Sequence, residues 1–199
     1  MNIVIIKYNA GNIESVSNAL ARLGIRSEIT GDHEKIRKAD KVIFPGVGEA
    51  STTMAFLKKE GLDKLIPSLS QPVLGICLGL QLMCSHTEEG DTPCLGIFEE
   101  KVKRFVPEPG MEYITKVPHM GWNNITQLKS GIFDPSLEGQ YVYFVHSFYA
   151  AAGKHTAAVC NYINPFSAAL HKDNFYATQF HPEKSGPVGA KILENFLKL

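Results

Sequence analysis

The hydrophobic pattern changes period several times along the first half of the chain. Ile3-Val4-Ile5-Ile6 is an unbroken apolar run, the signature of a strand covered on both faces. Ile13, Val16, Leu20 and Leu23 then recur at spacings of three and four. That spacing predicts an amphipathic helix, which Asn12 can cap and Gly24 ends. Residues 25–29 read as a second strand, 34–38 as a short helix and 42–44 as a third strand. A helix over 52–60 stops at Gly61, and Val73-Leu74-Gly75-Ile76 is a fourth strand running straight into another helix. This alternation predicts a parallel sheet with helices on both faces.

Beyond about Gly96 the rhythm changes. Segments 101–106, 122–126, 141–145, 157–162, 168–171 and 175–180 look like strands with few helices between them. Ser185-Gly186-Pro187 opens a closing helix with Ile192, Leu193, Phe196 and Leu197 inward. No linker, low-complexity tract or internal repeat interrupts residues 1–199, so the expectation is a single domain. Its class is α/β: three layers, a mostly parallel central sheet, and a smaller antiparallel extension.

Composition removes several function classes. Twenty Lys and Arg balance twenty Asp and Glu, which argues against nucleic acid or a membrane surface as partner. The start, Met1-Asn2-Ile3-Val4, lacks the basic region of a secretion signal. The uncharged window from Leu65 to Thr87 is long enough to cross a bilayer, but Pro67, Ser68, Ser70, Gln71, Pro72 and Gln81 break it into turn, strand and helix. Cys77, Cys84, Cys94 and Cys160 occur without export signals and form no CxxC pair. They point to a reducing cytoplasm, with no disulfide framework or zinc site. No metal or cofactor is expected.

Three segments carry chemistry. Gly75-Ile76-Cys77-Leu78-Gly79 has the form G-x-C-x-G between a strand and a helix, the thiol counterpart of the serine nucleophile elbow. A turn that tight strains its central residue, and flanking glycines remove side chains that would clash. A thiol at a helix start faces free N–H groups, which favour the thiolate and can stabilise an oxyanion. A buried structural cysteine is the competing reading. The second segment, Gln179-Phe180-His181-Pro182-Glu183, follows a strand 104 residues after the cysteine (181 − 77 = 104). Alone it is a turn; beside a cysteine elbow it supplies a base, His181, and an orienting carboxylate, Glu183. The third, Pro45-Gly46-Val47-Gly48, imitates a dinucleotide fingerprint, but Ser51 ends it and it follows the third strand rather than the first. A turn that offers backbone N–H groups to a substrate fits better.

Taken together, these three segments resemble the class I, triad-type glutamine amidotransferases, whose marks are a PGxG loop, a GxCxGxQ elbow and a C-terminal HPE. Here they stand as Pro45-Gly46-Val47-Gly48, Gly75 to Gln81 and His181-Pro182-Glu183. The resemblance implies hydrolysis of the glutamine amide through a γ-glutamyl thioester on Cys77. Tyr8-Asn9-Ala10-Gly11-Asn12, residues 117–123, residues 143–148 and residues 181–185 are similar to one subfamily, the glutaminase subunits of imidazole glycerol phosphate synthase. That likeness implies a heterodimer with a (β/α)₈-barrel cyclase that uses the ammonia in histidine biosynthesis. It also implies oxyanion donors at Val47 and Leu78, and glutamine contacts at Gly48, Gln81, Ser147 and Phe148. Partner contacts would fall at Asn12, Trp122, Tyr143 and Lys184, with the Val47 peptide turned the wrong way at rest. Asn9 stands where the subfamily usually has Gly, and Phe148 where Tyr is common. A glutaminase of another pathway and a free-standing γ-glutamyl cysteine hydrolase are the alternatives. His33, His86, His155 and His171 show no partner in the sequence, and the chemistry requires neither His119 nor His146.

Overall fold

The computed structural model describes residues 1–8, 13–111 and 113–199. Strands β1 (Ile3–Ile6), β2 (Ser27–Thr30), β3 (Lys41–Phe44) and β4 (Val73–Ile76) alternate with helices α1 (Ile13–Arg22), α2 (His33–Lys38), α3 (Ala50–Lys59), α4 (Leu62–Leu65) and α5 (Leu78–Met83). Short strands follow: β5 (His86–Thr87), β6 (Thr92–Pro93), β7 (Lys101–Arg104), β8 (His119–Asn124), β9 (Tyr141–His146) and β10 (Phe148–Ala150). The chain closes with β11 (Thr156–Asn161), β12 (Pro165–Lys172), β13 (Phe175–Thr178) and α6 (Gly186–Leu197).

Seven strands form the main sheet in the order β11-β12-β13-β4-β3-β1-β2. From β13 to β2 every pairing is parallel, and β11 and β12 add an antiparallel edge. The period-2 rule then sorts side chains onto two faces. Ile3 and Ile5 pack with α1 and α6, whereas Val4 and Ile6 pack with α2, α3, α4 and α5. Both layers are closed by side chains with no exposure, among them Leu20, Phe196, Ile36 and Leu57. A four-stranded sheet, β10-β7-β5-β6, and a ribbon of β8 and β9 make up the smaller extension.

Periodicity locates most elements to within a few residues. The second strand is shifted to 27–30 because Ile25 continues the turn after α1, its N–H bonded to the Leu20 carbonyl. Helix α3 begins two residues before the expected 52, since the Glu49 side chain caps it by accepting from the Ser51 and Thr52 N–H groups. The same carboxylate fills the helix start that a bound pyrophosphate would need. The uncharged window 65–87 is divided among α4, a 3₁₀ turn, β4, α5 and β5. Among the described residues no helix is long and apolar enough to cross a membrane.

Candidate functional site

Sheet order brings the three marked segments together. β4 lies between β13 and β3, and all three run parallel, so the segments that follow them leave the same edge of the sheet. Thr178 is level with Ile76 and Phe44 with Gly75. Cys77 therefore emerges between the His181 turn on one side and the Gly46 turn on the other. Its N–H is held by the Thr178 carbonyl at 2.8 Å.

Cys77 has φ 53° and ψ −106°, a conformation that costs an L-residue about 1–3 kcal/mol. The glycines around it allow such a bend. A Cβ on Gly79 would lie 2.1 Å from the Phe44 carbonyl oxygen, and one on Gly46 would lie 2.8 Å from the Leu78 Cβ. The Tyr8 hydroxyl donates to the Pro45 carbonyl and fixes the neighbouring turn.

The Cys77 sulfur receives a hydrogen bond from the Gln179 amide at 3.7 Å and lies 3.9 Å from the Val145 carbonyl. His181 Nδ1 is 2.8 Å from Glu183 Oε1, in a pair almost wholly shielded from solvent. Because a carboxylate only accepts, Nδ1 carries the proton and Nε2 is free to exchange one. Nε2 is buried and has no geometric hydrogen bond among the described residues. Burial opposes charge on the ring, but the Cys77 sulfur and the Glu183 carboxylate outweigh it and push its pKa up to about 10.

A pocket of about 300 Å³ opens over the sulfur, lined by Val47, Gly48, Leu78, Gln81, Glu89, Val145, His146, Ser147 and Phe148. It collects all six residues expected to contact glutamine or its oxyanion. Gln81 Nε2 donates to the Phe148 carbonyl at 2.9 Å and to Gln179 Oε1 at 3.1 Å. Both its amide hydrogens are thus used, and its carbonyl oxygen is what it can offer a ligand. Glu89 is a lining residue that sequence reasoning missed. It sits in a turn without a motif, Oε2 accepts from the Ala50 N–H at 2.9 Å, and partial burial raises its pKa.

The Leu78 N–H donates to the Gly46 carbonyl at 3.3 Å. Carbonyl and N–H are antiparallel across a trans peptide, and the only cis bond among the described residues is Val117–Pro118. The Val47 N–H is therefore directed away from the Leu78 N–H, and the two do not converge.

The residues expected at a partner surface lie nearby. Trp122 pairs with Tyr143 across β8 and β9, their rings edge to face at 6.1 Å. Met120, Trp122 and Tyr141 on this ribbon are exposed, as is Lys184. Asn12, with its capping role, and Asn9 lie outside the described residues. Cys84 follows the last residue of α5 and is fully buried.

Three further histidines acquire partners that the sequence does not reveal: His155 pairs with Glu100 at 3.0 Å, His86 with Asp91 at 2.9 Å, and His33 contacts the Glu60 carbonyl. His171 stacks on Tyr176. Among the described residues no group of three or more His, Cys, Asp or Glu is placed to hold a metal ion.

A parallel sheet edge carrying this elbow and this buried pair defines a class I glutamine amidotransferase, and the family model described as glutamine amidotransferase class-I matches residues 4–199; the chain belongs to that family, and within it to the HisH subunits. The particular relatives are full-length. The chain is 61% identical over 199 residues to "Imidazole glycerol phosphate synthase subunit HisH" of Bacteroides fragilis (strain YCH46), with all of both chains covered. It is 42% identical over 201 residues to the HisH subunit of Escherichia coli (strain K12), again with full coverage of both. Its fold is similar to that of a putative GMP synthase component from Thermoplasma acidophilum, with a TM-score of 0.75, 20% identity and coverage of 100% of this chain and 93% of that one.

Proposed function

We propose that this chain hydrolyses glutamine to glutamate and ammonia at Cys77 and delivers the ammonia to a (β/α)₈-barrel cyclase bound to it. The observation that carries this reading is the shielded His181–Glu183 pair beside a sulfur on a strained elbow. The cyclase would use the ammonia to make imidazole glycerol phosphate and aminoimidazole carboxamide ribotide, in the cytoplasm. The names of the HisH relatives, subunits of imidazole glycerol phosphate synthase, support that pathway.

The reaction follows from the geometry. His181 Nε2 already holds the proton given up by Cys77, so the attacking sulfur faces an imidazolium that Glu183 stabilises through Nδ1. The sulfur attacks the γ-carbonyl carbon, and the carbonyl electrons move onto oxygen. Collapse of that intermediate breaks the C–N bond, and the nitrogen leaves as ammonia with the proton from His181. A water then gives a proton to His181 Nε2, neutral since ammonia left, and attacks the thioester carbonyl carbon. The second intermediate collapses with breakage of the C–S bond, whose electron pair returns to the sulfur; glutamate departs, and the proton from water remains on His181 as at the start.

Recognition of the amino-acid end falls to the pocket. A substrate α-ammonium needs acceptors, which Gln81 Oε1 and the Glu89 carboxylate can supply. The α-carboxylate would lie by Gly48 and the backbone of Ser147 and Phe148. The oxyanion requires two N–H donors, Leu78 and Val47, and here the Gly46 carbonyl occupies the first. Rotating the Gly46–Val47 peptide would free the Leu78 N–H and turn in the Val47 N–H at one stroke. A chain in this state therefore hydrolyses glutamine slowly until its partner binds. That feature favours a subunit over a free-standing hydrolase, which has no use for a closed oxyanion site. Trp122, Tyr143, Lys184 and Asn12 are the proposed partner contacts.

Cys77→Ala in the assembled complex tests the nucleophile. Glutamine-dependent synthesis should fall by at least about 10³-fold, since no thioester forms, while synthesis from added ammonium persists. Near-normal use of glutamine by the variant would overturn the assignment.

A further inference from the structure

His119 and His146, which the proposed chemistry leaves unused, face each other across β8 and β9 in register. Both are buried, at 3% and 6% exposure. Their rings lie among Phe105, Phe144, Tyr162 and Phe166. His146 Nδ1 is 2.7 Å from the Phe148 carbonyl, and His146 Nε2 is 3.0 Å from His119 Nδ1. His119 Nε2 is 3.4 Å from the Asn123 Nδ2. Asn123 Nδ2 also donates to the Asn161 carbonyl at 2.9 Å, and Asn123 Oδ1 accepts from the Asn124 N–H at 2.9 Å, which fixes the orientation of the amide.

These contacts leave one assignment of protons. The Phe148 carbonyl only accepts, so His146 carries its hydrogen on Nδ1. Its Nε2 is then an acceptor, which obliges His119 to carry its own hydrogen on Nδ1. His119 Nε2 in turn accepts from Asn123. Burial lowers the pKa of His119 to about 4 and that of His146 to about 3, so both rings stay neutral at physiological pH. Donors run in one direction, from Asn123 through His119 and His146 to the Phe148 carbonyl.

That carbonyl is also the one held by Gln81 Nε2. It belongs to the Ser147–Phe148 segment at the rim of the pocket over Cys77. The other end of the chain of bonds is β8, whose opposite face exposes Met120 and Trp122. We propose that His119 and His146 are positioning residues for the amino-acid end of the substrate, acting as a one-directional relay that sets the Ser147–Phe148 rim from β8. This rests on the reading that the pocket takes glutamine.

Two measurements test it, and the first does not depend on that reading. In ¹⁵N spectra of the full chain, both rings should appear neutral and protonated on Nδ1, the less common tautomer. An Nε2-protonated or charged ring at pH 7 would overturn the relay. The second compares substitutions in the assembled complex. Asn places its amide near the imidazole Nδ1 and Gln places its amide near Nε2, so His146→Asn keeps the donor to Phe148 and His146→Gln loses it. KM for glutamine should rise about 5- to 20-fold in His146→Gln with kcat within about twofold, and His146→Asn should recover most of the loss. Equal KM effects of Asn and Gln, or an effect on kcat alone, would overturn the positioning role. Activity that is absent even with the parent chain, with the tautomers as assigned, would instead count against glutamine as substrate.

Discussion

The buried His119–His146 pair makes the fold sensitive to mild acid, and the size of the effect can be worked out. Both rings titrate at 6.5 in an unfolded chain but only at about 4 and about 3 when folded. Between those limits the unfolded state binds more protons, so stability falls as pH falls. From pH 7 to pH 5 each ring removes about 2 kcal/mol, or about 4 kcal/mol together. His181 acts in the opposite sense: its folded pKa is raised to about 10. It is already charged in the folded state, and that preference grows until the unfolded ring is also protonated, returning about 1 kcal/mol over the same interval. The net loss is about 3 kcal/mol, a large share of the stability of an ordinary domain. Urea midpoints measured at half-unit steps should drop by about 1 M or more between pH 7 and pH 5. A His119→Asn/His146→Asn double variant will be less stable throughout, but its midpoint should be nearly flat or rise slightly toward pH 5. An unchanged slope in the double variant would refute the argument, because the acid loss would then reside in other groups.

Glu89→Gln keeps an acceptor for the Ala50 N–H and removes only the charge. KM for glutamine should rise about 10- to 100-fold with kcat little changed, as read from initial rates in the complex; an unchanged KM would remove Glu89 from substrate binding. Gly79→Ala forces a methyl group onto the Phe44 carbonyl. Calorimetry should register a loss of several kcal/mol, with glutamine turnover falling at least about 100-fold, whereas a normal melting temperature would show that the elbow can relax.

What was legible in the sequence follows from range. The alternating apolar runs and caps of residues 3–83 are local signals, and they located β1, β3, β4 and helices α1, α2 and α3, though not the single turn of α4. The elbow and the His-Pro-Glu turn were legible because each is a contiguous motif. Their approach could be inferred from the strands that precede them, since parallel strands end on one edge. Pairs that depend on register were not legible. His119 meets His146 through the antiparallel pairing of β8 with β9, and His155 meets Glu100 from 55 residues away. Glu89 carries no local mark, because a carboxylate in a turn looks like any solvated charge. Strands β5, β6 and β10 are two or three residues long, too short to display a period.

The arrangement of β9 links the proposed partner surface to the proposed chemistry without requiring a long path. One face of the ribbon exposes Trp122 and Tyr141, and the backbone beneath them is tied to the His181 turn. The His181 N–H donates to the Tyr143 carbonyl at 2.9 Å, and the Tyr143 N–H donates to the Ser185 hydroxyl at 2.9 Å. Ser185 in turn donates to the His181 carbonyl at 2.7 Å. The same ribbon reaches the sulfur through the Val145 carbonyl and the pocket rim through His146. A partner seated on that face would therefore press on backbone that already touches the base, the nucleophile and the substrate rim. The element left to respond is the Gly46–Val47 peptide, whose carbonyl accepts from the Leu78 N–H at 3.3 Å. A net hydrogen bond of that kind is worth about 1 kcal/mol, and closing on a partner through exposed aromatic side chains releases several times as much. The energy to open the oxyanion site is thus within reach of binding alone, and under the proposed function hydrolysis would be confined to the assembly that can use the ammonia.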